Sequence, residues 1–355
     1  MGDAIVGVVA NPLSGRDIRR LTTRASVFPT AEKANMIQRM LTAFDAVGVH
    51  RVLLGTDLGG ISASVFRAIG QRRAQDGRWP DVEFLDGQPI RQTAQDTVDA
   101  VRRMVTAGAR VIVCLGGDGT ARVTASAVGD VPMLALSTGT NNAFPAVREA
   151  TIAGLAAGLV ATGAVPADRV VTRAKMLEVR AGDRVETALI DVAVSTQRHV
   201  GARAVWDPAT LTQLFCAFAE PDVIGLSSIL GQLSPVTRHE PRGVTARLAP
   251  EAVAQILAPI APGLVQPVGV RDIEWMRPGS VHPVDARAGV IAVDGERELT
   301  FEPGERPAVR LRADGPRCVD VSAVLAESAR LGLLRRPSTA PARYQLREST
   351  VRRST

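Results

Sequence analysis

The sequence predicts an α/β protein in which an N-terminal doubly wound parallel sheet domain precedes a C-terminal antiparallel β-rich domain. Three observations carry this. Strand-like and helix-like runs alternate up to about residue 165. Within them, Val111-Ile112-Val113-Cys114-Leu115 is an uninterrupted apolar run, the mark of a central parallel strand covered on both faces. Beyond residue 165, short β-like runs separated by turns take over. The expected division is 1–165 for an α/β nucleotide-binding domain and 166–325 for a β-rich substrate domain, with 326–355 a helix end and a disordered basic tail.

The first strand is expected over Ala4–Ala10, ended by the turn signal Asn11-Pro12. A helix follows Pro29, with Met36, Ile37, Met40, Leu41 and Phe44 on one face and Gly48 at its C-terminal stop. Val49–Leu54 reads as a strand, Ser62–Ile69 as a helix and Val82–Leu85 as a strand. Gln92–Thr106 reads as a helix, with Val98, Val101, Met104 and Val105 at helical spacing. Arg110–Leu115 and Pro132–Leu136 complete the parallel set. In the second half, Val170–Val179 and Val185–Val194 read as a hairpin around Arg180–Arg184, and a helix is expected over Ala209–Ala219. Strands are expected over Gly243–Leu248, Val268–Trp275, Gly289–Val293, Glu298–Phe301 and Val309–Arg312, and a last helix over Val321–Leu331.

Composition narrows the function. Aromatics are only 3% of residues, so the core must rest on aliphatic side chains. No apolar stretch is long enough to span a bilayer, and Met1-Gly2-Asp3-Ala4 lacks the basic start of a signal peptide. Three dispersed cysteines, Cys114, Cys216 and Cys318, form neither a disulfide framework nor a zinc motif; a reducing, cytoplasmic setting is expected. The net charge of +6 comes from arginines spread along the chain, only Lys33 and Lys175 being lysine. No nucleic-acid partner is expected; a positive surface equally attracts a phosphorylated small molecule. His50, His239 and His282 have no metal-ligand spacing, and Ser195 lacks the setting of a hydrolase nucleophile.

The chemistry-bearing signal is Gly116-Gly117-Asp118-Gly119-Thr120, directly after the buried strand. In an open α/β sheet, ligands bind beyond the carboxyl ends of the strands. Glycines let backbone approach a ligand closely, and helix-start N–H groups point at phosphate oxygens. Asp118 in such a turn is suited to hold Mg²⁺ or take a proton from an attacking hydroxyl. No Gly-x4-Gly-Lys-Ser/Thr is present, so the loop is not a P-loop. Ser137-Thr138-Gly139-Thr140-Asn141-Asn142 is a second polar loop after a strand, and Asn11-Pro12-Leu13-Ser14-Gly15 a third. The nucleotide-binding candidates are therefore Asn11, Ser14, Gly15, Gly116, Gly117, Gly119, Thr120, Thr138, Gly139, Thr140, Asn141 and Asn142, with Asp118 as the catalytic candidate. His199, with Arg198 and Arg203, is a further phosphate-binding candidate.

In their order, these loops resemble the superfamily of NAD kinases and diacylglycerol or sphingosine-type lipid kinases. The resemblance extends to Ala188-Leu189-Ile190-Asp191 and to Asp294-Gly295-Glu296, and covers roughly residues 4–320. Ser137–Pro145, Gly201–Ala204 and Ile224–Ile229 look most like the acetoin-catabolism protein X group of ATP-NAD kinase-like proteins. The resemblance implies an NAD kinase-like fold, ATP as phosphoryl donor, a divalent metal such as Mg²⁺, and a dimer. It implies Asp118 as base or metal organiser, with Asp191 and Glu296 as substrate or metal candidates. Departures are Ile190 where NAD kinases carry Asn, Asn142 where lipid kinases carry Asp, and Gly225–Gly231 as the nearest analogue of a Thr-Gly-Ser-Thr-Ala-Tyr stretch. The expected activity is phosphorylation of a hydroxyl, NAD to NADP. A kinase of another small hydroxylated metabolite or lipid, and a nucleotide-binding regulator without catalysis, are the alternatives. As an unassisted turn, Asp294-Gly295 is also an ordinary hairpin signal.

Overall fold

The computed structural model describes residues 3–15, 24, 28–72, 77–87, 89–139, 141–197, 204–205 and 207–335. In chain order, the first part runs β1 (Ile5–Ala10), α1 (Thr30–Ala46), β2 (Arg51–Gly55), α2 (Ile61–Gln71), β3 (Asp81–Leu85), α3 (Ala94–Thr106), β4 (Val111–Gly116), α4 (Asp118–Ala127), β5 (Met133–Ser137) and α5 (Ala150–Ala161). A short helix α6 (Ala167–Val170) leads into β6 (Val171–Arg173), β7 (Met176–Ala181), β8 (Arg184–Ala188), β9 (Asp191–Ser195) and β10 (Leu211–Cys216). The remainder is α7 (Ser228–Gly231), β11 (Gly243–Leu248), β12 (Ala254–Ala261), β13 (Leu264–Met276), β14 (Val281–Pro283), β15 (Gly289–Val293), β16 (Glu296–Phe301), β17 (Ala308–Arg312), β18 (Arg317–Val319) and α8 (Val321–Leu331).

The first sheet has the order β3-β2-β1-β4-β5-β18-β6, parallel from β3 through β18. Every residue of β4 is buried. Its Ile112 and Cys114 enter one apolar cluster, and Val111, Val113 and Leu115 enter another on the opposite face. That is the expected consequence of helices on both sides of a parallel strand. On one face α1 lies against α5, where a Cβ on Gly154 would sit 2.9 Å from the Ala43 methyl, so the close helix approach depends on glycine. Strand order reverses between β1 and β4, which puts the loops after these two strands side by side at the crevice where such sheets bind ligands.

The second sheet is antiparallel, β12-β13-β11-β10-β9-β15-β16, and a third carries β14-β17-β7-β8. The helix expected over Ala209–Ala219 is instead a 3₁₀ turn at Pro208–Thr210 followed by strand β10. Leu214 and Cys216 face one cluster and Phe215 the other, so both faces are covered. A short apolar run buried on both sides carries no period that separates strand from helix. The run Val185–Val194 divides into β8 and β9, which belong to different sheets, and Val170–Val179 divides into β6 and β7 in the same way. Strands β12 and β18 and helix α5 are further elements that sequence reading did not single out. Residues 171–173 and 317–331, read from sequence as parts of the second domain and its end, add to the first layer: β6 and β18 extend its sheet, and α8 packs on α5. Among the described residues no helix is long and apolar enough to cross a membrane.

Candidate functional site

Three strand-end loops meet at the β1/β4 crossing. After β1, Asn11 Nδ2 donates to Thr120 Oγ1 at 2.9 Å, tying the first loop to the start of α4. Ser14 Oγ lies 2.8 Å from Thr138 Oγ1, tying it also to the loop after β5. Gly15 has φ +78, a left-handed conformation that favours glycine, and packs 3.2 Å, measured from its Cβ position, from the Thr138 carbonyl. Lys33, fully buried at the start of α1, donates to the carbonyls of Asn11 (2.9 Å), Pro12 (3.2 Å) and Ser14 (2.9 Å). Its ammonium therefore shapes the first loop from beneath. Sequence reading missed this role; the one available signal was the rarity of lysine in the chain.

The second loop turns directly into α4, with Gly117 as N-cap and Asp118 as the first helical residue. First-turn N–H groups of a helix lack intrahelical acceptors, so those of Asp118, Gly119 and Thr120 are available in principle to an anion. The Asp118 carboxylate accepts the Ala143 N–H (3.1 Å to each oxygen) and the Phe144 N–H (2.9 Å). In the third loop, the Asn142 amide is assigned the orientation that satisfies its neighbours, in which its oxygen accepts the Gly139 N–H at 3.0 Å and the Ser137 hydroxyl at 2.7 Å and its NH₂ donates to Asn141 O at 3.2 Å. A Cβ on Gly139 or Gly117 would come within 2.6 or 2.8 Å of the Asn142 amide, so both glycines are sites of close approach. Thr140 lies outside the described residues, as do Arg198, His199 and Arg203.

Asp118 borders a small cavity together with Asn141, Asp191, Asp294 and Gly225, with Ile190, Val205, Ile224, Leu226 and Ile260 forming its apolar wall. It has room for about one or two waters. Asp191, buried at the start of β9, lines the same cavity as Asp118. Glu296 approaches from β16: its carboxylate lies 3.4–3.7 Å from where a Gly119 Cβ would be. Asp294 was not singled out as a site residue, yet its buried carboxylate accepts N–H groups of Leu189 (3.1 Å) and Ile190 (2.8 Å) and lies 3.7 Å from the Arg122 guanidinium. Burial pushes its pKa up to about 6 against the opposing pull of Arg122 and the backbone donors. The hairpin reading of Asp294-Gly295 holds as well: φ values of +48 and +76 make it a type I′ turn between β15 and β16.

Among the described residues no group of three or more His, Cys, Asp or Glu side chains is arranged to hold a metal by itself. Mg²⁺ asks for less, being carried by one or two carboxylates with phosphates and water. Asn141 offers a neutral oxygen ligand beside the Asp118 carboxylate: it is buried, its Nδ2 donates to Ile260 O at 3.1 Å, and among the described residues its Oδ1 has no hydrogen-bond partner.

Residues 6–165 match the ATP-NAD kinase N-terminal domain, and residues 175–314 match the acetoin catabolism protein X C-terminal domain. Acetoin catabolism protein X of Cupriavidus necator is 41% identical over 338 residues, 93% of this chain and 94% of that protein. The chain belongs to the acetoin catabolism protein X family. Yeast NADH kinase, solved with NADH, shares this family member's fold with a TM-score of 0.51 at 14% identity, over 95% of this chain and 90% of that one. The chain thus joins a kinase-family N-terminal domain to the family's own β-rich C-terminal domain, and the cavity at Asp118 takes its walls from both.

Proposed function

We propose that this chain is an ATP-dependent phosphotransferase acting on a hydroxyl group, with NAD as acceptor and NADP as product. The observation that supports it best is the convergence of three strand-end loops at the β1/β4 crossing, with Asp118 facing a cavity walled from both layers. Phosphoryl transfer asks a protein mainly for positioning and charge neutralisation. The helix-start N–H groups of α4 suit the phosphates of ATP. A divalent cation arriving with the triphosphate would be met by Asp118 and Asn141 Oδ1, and would offset phosphate charge there. Asp118 takes the proton of the acceptor hydroxyl as that oxygen bonds to the γ-phosphorus and the bond to the β-phosphate oxygen breaks, releasing ADP. The Ala143 and Phe144 N–H groups orient the carboxylate for this.

One feature favours a second acceptor class. Ile190, where NAD kinases carry Asn, stands with Ile224, Leu226 and Ile260 in the wall that Asp118 faces. An apolar wall suits a less polar hydroxylated metabolite or lipid. The test is the full-length protein with labelled ATP, Mg²⁺ and a panel of NAD, small polyols, ketols and diacylglycerol. Label on NAD supports the first reading, and label on another acceptor alone supports the second. ATP binding seen as a thermal shift, with no transfer to any acceptor, would overturn both and leave a nucleotide-binding regulator.

A further inference from the structure

A second cavity, about 350 Å³, lies behind the loop that holds Asp118. It opens between the β5–β18–β6 edge of the first sheet and Phe218, Arg238 and His239 of the β-rich part. Ala143 borders this cavity on one side and the small Asp118 cavity on the other, so a single peptide segment separates the two. The volume is in the range of small-molecule sites.

Its charge is one-sided. Arg148, Arg173, Lys175 and Arg238 line it, with His239, and of these Arg238 is paired with Glu220 at 2.8 Å. Among the described residues the one acidic lining residue, Asp320, has its carboxylate engaged by the Ala323 N–H at 3.0 Å, as the cap of α8. Arg148 donates to Ser322 Oγ at 3.1 Å and has no ion pair among the described residues. Arg173 pairs with Asp130, whose side chain is 83% exposed, a solvent-screened contact of small worth. Lys175 is buried and donates to the Thr237 and Arg242 carbonyls, not to a carboxylate. Burial lowers its pKa to about 8 against the opposing pull of Glu240 and Glu220. Between these charges the wall is apolar, from Leu134, Phe144, Phe218 and Val319.

We propose that this cavity is a second ligand site, distinct from the Asp118 cavity, for a small organic anion with an apolar body and a carboxylate or phosphate end. The apolar body lies against Phe218 and Val319, and the anionic end meets Arg148 and Arg173 at the open side. The inference is independent of the kinase reading, since it concerns binding alone.

The test is calorimetric titration of the full chain with phenyl phosphate and with benzoate, beside inorganic phosphate and neutral benzyl alcohol. The expected result is one bound phenyl phosphate or benzoate per chain, held more tightly than either control. Arg148→Glu and Arg173→Glu, both at exposed positions, are expected to weaken that binding about tenfold or more. Asp118→Asn is expected to leave it unchanged. Binding lost in Asp118→Asn but kept in both arginine variants would assign the anion to the strand-end loops and overturn the proposal. Absence of binding by both aromatic anions would also overturn it.

Discussion

Arg238 and Asp118 both hold the backbone of Ala143 and Phe144, and they share the peptide unit between those two residues. The Asp118 carboxylate accepts the N–H groups of Ala143 and Phe144, while the Arg238 guanidinium donates to their carbonyls at 3.2 and 3.4 Å. Arg238 is itself held by Glu220, at 2.8 Å through Nη2 and 3.1 Å through Nε, and its guanidinium stacks 4.7 Å from the Phe218 ring centre. A planar fork suits this set of acceptors and an ammonium does not. Arg238→Lys is predicted to lower kcat about 10²-fold through a misplaced Asp118, with the KM for ATP little changed. Steady-state kinetics on whichever acceptor takes label decides this; an unchanged kcat would remove Arg238 from the positioning of Asp118.

Asp118→Asn keeps one oxygen able to accept both backbone N–H groups, so the local fold is expected to survive. The loss is the charge and the proton acceptor, worth on the order of 10²–10⁴-fold in turnover. Circular dichroism and ATP-induced thermal shift are expected to match wild type. Retained turnover in this variant would exclude Asp118 as the base.

Lys33 is a buried ammonium whose named partners are the carbonyls of Asn11, Pro12 and Ser14. Lys33→Met preserves the stem but leaves those acceptors unsatisfied, at a cost of roughly 1–3 kcal/mol in stability. Urea denaturation is expected to show a lower midpoint, and ATP affinity is expected to fall because the first loop loses its floor. A variant with wild-type midpoint and affinity would show that the loop is held by Ser14 and Asn11 alone.

The pKa of Asp294 is raised from its ordinary 3.8 to about 6, chiefly by burial. Between those values the folded state binds more protons than the unfolded chain, so this residue's contribution to stability falls as pH rises. It is fully present below about 3.8 and lost above about 6. Asp294→Asn, whose single amide oxygen keeps the Ile190 N–H but not also the Leu189 N–H held by the second carboxylate oxygen, is predicted to flatten the pH dependence of unfolding in that window. An identical slope in the variant, measured by denaturant midpoint at each pH, would contradict it.

Much of the first domain was legible because its signals are local. An apolar run such as Val111–Leu115 needs two apolar faces wherever it sits, and Gly116 must lack a Cβ because the Thr120 side chain of the same turn occupies that position. The last helix, Val321–Leu331, matched its boundaries because Asp320 caps one end and Gly332, at φ +68, stops the other. The 211–216 strand was misread as helix because burial on both faces removes the period that tells the two apart.

The sequence by itself determined the strand-end loops, their glycines and the aspartate between them, since backbone geometry and turn chemistry act within a few residues. Tertiary structure alone decided what that aspartate faces. It brought Asp191 and Glu296 to the loop from separate β strands, set the Lys33 ammonium under Asn11, and put Arg238 behind Ala143. These pairings span up to 177 positions along the chain, from Gly119 to Glu296. Packing of whole sheets, rather than any local preference, fixes such distances.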